Sequence, residues 1–212
     1  DFEDYYADKI EGTGSIKMDY NVVASEGWGG YTVRTSPSPM DEYLDLSAGT
    51  YLSFWYKVIT PVSLSDTGQA FMEWKIGDYD ADNKRDLWFH QPTALDLADA
   101  SGEWHQILMP LTRNDDKTIA FALQSGDGDQ EMQLDKIKSF EFAFVYITAG
   151  NPTNPPTASG TILFDKYQLI GNRYQPIFTF DNSASSWNID DMSWAGPDGK
   201  GSVTLTDENT DK

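Results

Sequence analysis

The chain of 212 residues contains no cysteine. That excludes disulfide bridges, thiolate zinc sites and cysteine nucleophiles at once. No stretch approaches the roughly 20 apolar residues of a membrane-spanning helix. No secretory leader is visible, and the chain opens on Asp1 rather than methionine, so we read it as an excerpt or a mature form. Basic residues are scarce, 15 against 34 acidic, for a formal charge of −19. Such a field repels phosphate backbones, anionic lipid surfaces and acidic polysaccharides, so neither nucleic acid nor membrane is an expected partner. Neutral ligands and divalent cations remain compatible. A 3.6-residue apolar repeat longer than two turns is also missing.

What the sequence has in quantity is aromatic side chains, 14% of the chain with seven tryptophans and eleven tyrosines, and short alternating runs. From Ile16 to Val22 the alternation is strict. Ile16, Met18, Tyr20 and Val22 point one way; Lys17, Asp19 and Asn21 point the other, the period of a half-buried strand. Further strands are expected near Tyr31–Thr35, Tyr51–Thr60, Phe71–Gly77, Leu87–Gln91, His105–Leu111, Thr118–Gln124, Ser139–Thr148 and Thr161–Ile170. Leu95–Asp99 is short enough for one helical turn at most. Many short strands punctuated by Gly, Pro, Asp and Ser predict an all-β antiparallel sandwich or barrel.

An internal repeat sets the expected boundary. Gly12-Thr13-Gly14-Ser15-Ile16-Lys17-Met18 returns as Gly199-Lys200-Gly201-Ser202-Val203-Thr204-Leu205, and Phe2-Glu3-Asp4 returns as Phe180-Asp181-Asn182. The expectation is one complete unit over residues 1–172. Residues 173–212 would then be a linker plus the first strands of a second, incomplete copy, in a longer multidomain chain. Two strands alone are marginal in water, so this tail must dock on the first unit, pair with a neighbour or continue in a parent chain.

Period two also sorts the faces. Leu52, Phe54, Tyr56 and Val58 oppose Tyr51, Ser53, Trp55 and Lys57. Met72, Trp74 and Ile76 oppose Phe71, Glu73 and Lys75, and Phe140, Phe142, Phe144 and Tyr146 oppose Glu141, Ala143 and Val145. In the run from Asp86 to His90, Leu87 and Phe89 are expected inside, with Asp86, Trp88 and His90 on the wetter face. Rings beside carboxylates suit sugars, whose C–H surfaces stack while their hydroxyls hydrogen-bond. Trp28 sits among Gly27, Gly29 and Gly30, which leave both faces of its ring approachable. It either plugs the end of the core or meets something flat.

One carboxylate falls on an apolar parity: Leu163, Asp165, Tyr167 and Leu169 share a face. A lone buried carboxylate needs a cation, several donors or a raised pKa. Glu3, near the opposite terminus, is the natural co-ligand for a structural calcium, with a hydrogen-bonded Asp at a strand end as the alternative. The acidic stretches at 78–86 and 127–131 lack the remaining features of a calcium loop and read as solvated hairpin tips.

The order of "DFED", "GTGSIKMDYNVVASEGWGGYT", "LSFWYKV", "LWFHQ", "GEWHQILMPL", "LDKIKSFEFAFVY" and "ILFDKYQLIG" resembles the family 11 carbohydrate-binding modules and, more loosely, the galactose-binding-like β-sandwiches. The resemblance covers roughly residues 1–171. It implies a jelly roll of two antiparallel sheets, a structural Ca2+ held by Glu3 and Asp165, and a concave face that grips β-glucan. Carried over by position, it places Trp28, Asp86, His90, Arg113 and Asp115 around the cleft, with Trp88 among them, and Tyr20 matches a family tyrosine although its parity is that of a core residue.

Three functions follow. The first is a non-catalytic module binding a neutral polysaccharide, secreted or displayed on a bacterial surface. The second is a spacer or adhesion repeat in a large surface protein, with no glycan binding. The third is a glycoside hydrolase or lyase, for which Glu73 and Glu141 are the carboxylates on wet faces but no motif fixes a pair.

Overall fold

A computed structural model of the chain describes residues 2–148, 154–171, 175–178, 187–191 and 205–206. Among them the regular elements are all strands: β1 (Phe2–Tyr5), β2 (Ser15–Val23), β3 (Trp28–Thr35), β4 (Gly49–Leu64), β5 (Gly68–Tyr79), β6 (Arg85–His90), β7 (His105–Pro110), β8 (Ala122–Gly126), β9 (Ile137–Thr148), β10 (Thr157–Gly171), β11 (Gln175–Phe178), β12 (Trp187–Asp191) and β13 (Leu205–Thr206). They form two sheets. Sheet A runs β13-β1-β2-β10-β4-β7, with β11 also on β10; sheet B runs β12-β3-β9-β5-β6-β8. All pairings are antiparallel except β1 with β13. The eight strands β2-β10-β4-β7 over β3-β9-β5-β6 are arranged in the order of a jelly roll, the expected antiparallel β-sandwich.

The alternation of four strands decides what fills the space between the sheets. Ile16, Met18, Tyr20 and Val22 from β2, and Leu52, Phe54, Tyr56 and Val58 from β4, are buried. Facing them are Met72, Trp74 and Ile76 from β5 and Phe140, Phe142, Phe144 and Tyr146 from β9. Trp74 lies at the centre, stacked on Phe54 at 3.9 Å and on Phe142 at 5.0 Å, with Phe164 edge-on at 5.5 Å. Each such side chain stabilises the fold by roughly 1.5–3 kcal/mol on burial. Together they hold the sheets face to face.

Two strands depart from the expected parity. In β6 the register pairs Asp78, Ile76 and Trp74 with Asp86, Trp88 and His90. Residues paired across antiparallel strands share a face, so the three groups expected in the cleft turn inward with Trp74. In β10 the pairing with β4 slips between Asp165 and Gln168, where Lys166 takes φ 55°. This bulge reverses the parity. Leu163 and Asp165 lie on the outward face, while Tyr167 and Leu169 enter the core. The eighth strand also begins later than expected, because Asp116 accepts the amide and hydroxyl of Thr118 and bends 116–120 into a turn.

The described strands within 173–212 lie at the margins of the same two sheets. β12 pairs with β3, β13 with β1 and β11 with β10. The start motif at Phe180 and most of the repeat at Gly199–Leu205 lie outside the described residues.

Candidate functional site

The outward face of sheet B combines rings and charges. Across β3, β9 and β5 the register places Arg34, Glu141 and Lys75 in one row, Thr32, Ala143 and Glu73 in the next, then Gly30, Val145 and Phe71, and last Trp28, Ile147 and Gln69. Phe89 of β6 joins the first row through its pairing with Lys75. One half of this face is an ion ladder. Arg85 Nη1 donates to Glu141 Oε1 at 2.9 Å, Lys75 Nζ lies 3.5 Å from Glu73 Oε2, and Lys117 Nζ donates to Glu73 Oε1 at 2.9 Å. The Lys117 ammonium also sits 4.9 Å from the Phe89 ring centre and 5.4 Å from that of Phe71. Burial pushes the Lys75 ammonium below its usual range, against the opposing pull of Glu73 and Glu141.

The other half is apolar and aromatic. Trp28 opens β3 and packs half-buried against Ala143, as Val145 does. Ile147 beside it is 44% exposed. The glycines around Trp28 have a backbone explanation: Gly27 adopts φ 82°, and a Cβ on Gly29 would fall 2.0 Å from the Val23 carbonyl oxygen. They shape the β2–β3 crossover, and the ring itself stands on the outward face of sheet B. Next to Phe71 a cleft of ≈ 490 Å³ opens between the β4–β5 hairpin and residues 91–98. Its wall includes Val62, Leu97, Gln69, Gln91, Thr93 and Asp96, with no lysine or arginine.

The remaining expected site residues lie elsewhere. Trp88 is fully buried, and its indole N–H donates to Asp78 Oδ2 at 3.3 Å. Asp86, 3% exposed, accepts the amides of Gly128 and Gln130 at 3.0 and 2.6 Å. A Cβ on Gly126 or Gly128 would strike that carboxylate, so the loop after β8 is wrapped directly onto it. His90, also 3% exposed, places Nδ1 2.7 Å from the Lys117 carbonyl and 3.1 Å from that of Ala120, so Nδ1–H donates to both. Burial lowers its pKa and keeps the ring neutral. These three are fasteners for the 112–121 and 126–133 loops and have no access to a ligand. Arg113 covers the Trp88 ring at 5.5 Å and donates to the Gln130 carbonyl, while Asp115 is exposed on the same loop.

Tyr20 is a core residue, 4% exposed and stacked on Phe144 at 4.0 Å. Its parity, not its match to a ligand-contacting tyrosine, describes it. Trp55 does face outward, half-buried, but on sheet A beside Gln106 and Asp165. Trp28, Trp55 and Trp88 therefore occupy three separate surfaces: the outside of sheet B, the outside of sheet A and the core.

Glu3 and Asp165 are likewise kept apart. β2 stands between β1 and β10; Glu3 accepts Lys17 Nζ at 2.8 Å, while Asp165 accepts the amides of Ile10 and Glu11 at 2.6 and 3.1 Å and that of Lys166 at 2.6 Å. Asp165 is fully buried because the β1–β2 loop is tied over it. These donors answer the buried carboxylate. The pair does not fit a common calcium shell, and among the described residues no group of three or more His, Cys, Asp or Glu could hold a metal ion. In the first acidic stretch Asp80 Oδ1 instead accepts the amides of Asp82 and Lys84, as a hairpin tip does.

The cleft residues Gln69, Gln91, Thr93 and Asp96 were not among the expected site residues. Phe71 had the correct outward parity, and Gln69 shares it. Gln91 would have followed had Phe89 been placed outside; the folding of 91–98 back towards β5 leaves no local signal.

No protein-family model and no curated protein matches this chain. Among solved structures it is similar to the family 11 carbohydrate-binding module from Clostridium thermocellum in complex with a β-1,3-1,4-mixed-linked tetrasaccharide. The identity is 17% and the TM-score 0.38, over 76% of this chain and 78% of that one. It is also similar to PfGH50B, at 10% identity and TM-score 0.32, over 82% of this chain and 23% of that one.

Proposed function

We propose that this protein is a non-catalytic carbohydrate-binding module that takes a neutral, β-glucan-like polysaccharide on the outward face of sheet B. The observation that carries the reading is the pair of rings on that face. Trp28 and Phe71 stand on β3 and β5 with β9 between them, about 10 Å apart across the strands and two residues, ~7 Å, along them, and Val145 and Ile147 fill the interval. Stacking on such rings contributes roughly 0.5–1.5 kcal/mol each beyond area burial. Affinities on the order of −4 to −8 kcal/mol, millimolar to micromolar, are then expected. The charge of −19 favours neutral over anionic chains. We place the module outside the cell or on a bacterial surface, within a longer chain whose neighbours gain from the raised local concentration of glycan.

Glu73 and Glu141 are each paired with a cation at 2.9 Å, which supports the non-catalytic reading. The same ladder favours a second reading, a spacer or adhesion repeat, since those polar groups already satisfy one another. Titration calorimetry with barley mixed-linkage β-glucan, lichenan and xyloglucan separates the two. Heat of binding with at least one polymer is expected; silence across all three sinks the module and leaves the spacer. Release of reducing ends during long incubation would overturn the non-catalytic assignment.

A further inference from the structure

The cleft beside Phe71 has features the rest of the outward face lacks. Among the described residues, neither Gln69 nor Gln91 makes a side-chain hydrogen bond, and Asp96 commits one oxygen, Oδ1, to the Ala98 amide at 2.9 Å. Elsewhere the polar groups are paired: Glu73, Lys75, Glu141 and Lys117 in the ladder, and Asp86 and His90 in the loop fastenings. Two primary amides, each able to donate and accept, thus flank an aromatic ring with their capacity unspent. The volume lies in the range of small-molecule sites, and the walls combine Val62, Leu97 and the Phe71 ring with amide, hydroxyl and carboxylate groups.

We infer that this cleft is a subsite for a neutral sugar unit, one at a chain end or side branch of the polysaccharide whose backbone lies towards Trp28; the inference rests on the binding face proposed above. The chemistry selects the class. A pyranose presents an apolar C–H face to Phe71 and a rim of hydroxyls that both donate and accept, matching Gln69, Gln91 and Thr93. An anionic sugar meets one carboxylate in the wall, Asp96, and the Lys117 ammonium beyond Phe71 is already paired with Glu73 at 2.9 Å. The site is built from sequence that the β-sandwich itself does not require: residues 91–98, held by the Val62 amide donating to the Leu97 carbonyl and the Asp96 amide donating to the Tyr56 hydroxyl.

The test uses the full chain, 15N-labelled, with the side-chain amide resonances of Gln69 and Gln91 assigned by loss in Gln69→Ala and Gln91→Ala. Glucose, xylose, galactose and mannose are titrated singly to high millimolar concentration, then xyloglucan and mixed-linkage β-glucan. Saturable shifts of both amides with at least one neutral sugar are expected, none with glucuronate, and Gln91→Ala weakens that sugar by about fivefold with an unchanged melting temperature. Polysaccharide binding that moves Trp28 but leaves both glutamine amides still would overturn the subsite and spare the binding face. Shifts with a monosaccharide but no response to either polymer would support the subsite and sink the polysaccharide reading. No response to any sugar would overturn both.

Discussion

At the Asp78–Asp86 end of sheet B, carboxylates accept the backbone amides of Gly128, Gln130 and Gln133, and Trp88 donates its indole N–H to Asp78. At the Phe71 end, Gln69 and Gln91 hold side-chain amides that bond to nothing among the described residues. Both ends carry aromatic and polar residues on one sheet, so composition does not separate them. What separates them is whether hydrogen-bonding capacity has been consumed by the fold. A buried polar group that is answered internally organises loops; one left unanswered at the surface is available to a ligand. The sequence draws attention to the first end, with its Asp, Trp and His, and the structure moves the interest to the second.

The comparison breaks most visibly at Trp88. Trp88→Ala should cost about 3–5 kcal/mol in denaturant unfolding, because it empties a fully buried site and leaves Asp78 with one donor fewer. A loss under 1 kcal/mol would return Trp88 to the surface. Asp78 gives the next effect, with a definite sign. Burial, reinforced by the nearby Asp86 and Asp129 carboxylates, pushes its pKa up to about 6 from 3.8. The folded state therefore binds the proton more tightly than the unfolded chain. The resulting stabilisation is complete below pH 3.8 and disappears as pH rises through 6. Asp78→Asn, which keeps an acceptor for Gln133, should raise stability at pH 7 by up to about 3 kcal/mol and change little at pH 4. Thermal melts across that interval show it as a flatter profile, and a wild-type profile already flat from pH 4 to 7 would refute the assignment.

Smaller effects sharpen the open end. Trp28→Ala should weaken a bound β-glucan by roughly three- to tenfold, the worth of one stacked ring, while Trp55→Ala on the opposite sheet leaves the titration unchanged. Equal losses from both would mean the glycan does not sit on sheet B. Gln91→Ala, which removes no side-chain hydrogen bond among the described residues, should shift stability by less than about 0.5 kcal/mol, the usual range for a surface change.

Much of this was legible along the chain. β2, β4, β5 and β9 alternate between apolar and polar, so one assignment of faces buries most of the large apolar groups, leaving Trp55, Phe71 and Ile147 outside, and the other exposes them. The resulting sandwich, and the outward placement of Phe71, Glu73, Lys75 and Glu141, follow from that local pattern. In β6 the pattern is degenerate: Leu87 and Phe89 on one parity, Trp88 on the other, with Asp86 and His90 weighing against burial. Partners more than 25 residues away reversed that weighting: the carbonyls of Lys117 and Ala120 for His90, the amides of Gly128 and Gln130 for Asp86. Similarly, the bulge at Lys166 sent Asp165 outward under a loop that begins the chain. Period-two alternation, a property of neighbours, was therefore enough for the architecture. The inward turn of Asp86 and His90, the separation of Glu3 from Asp165 and the cleft beside Phe71 depend on hydrogen-bond donors and walls supplied from distant parts of the chain, and only tertiary structure brings those together.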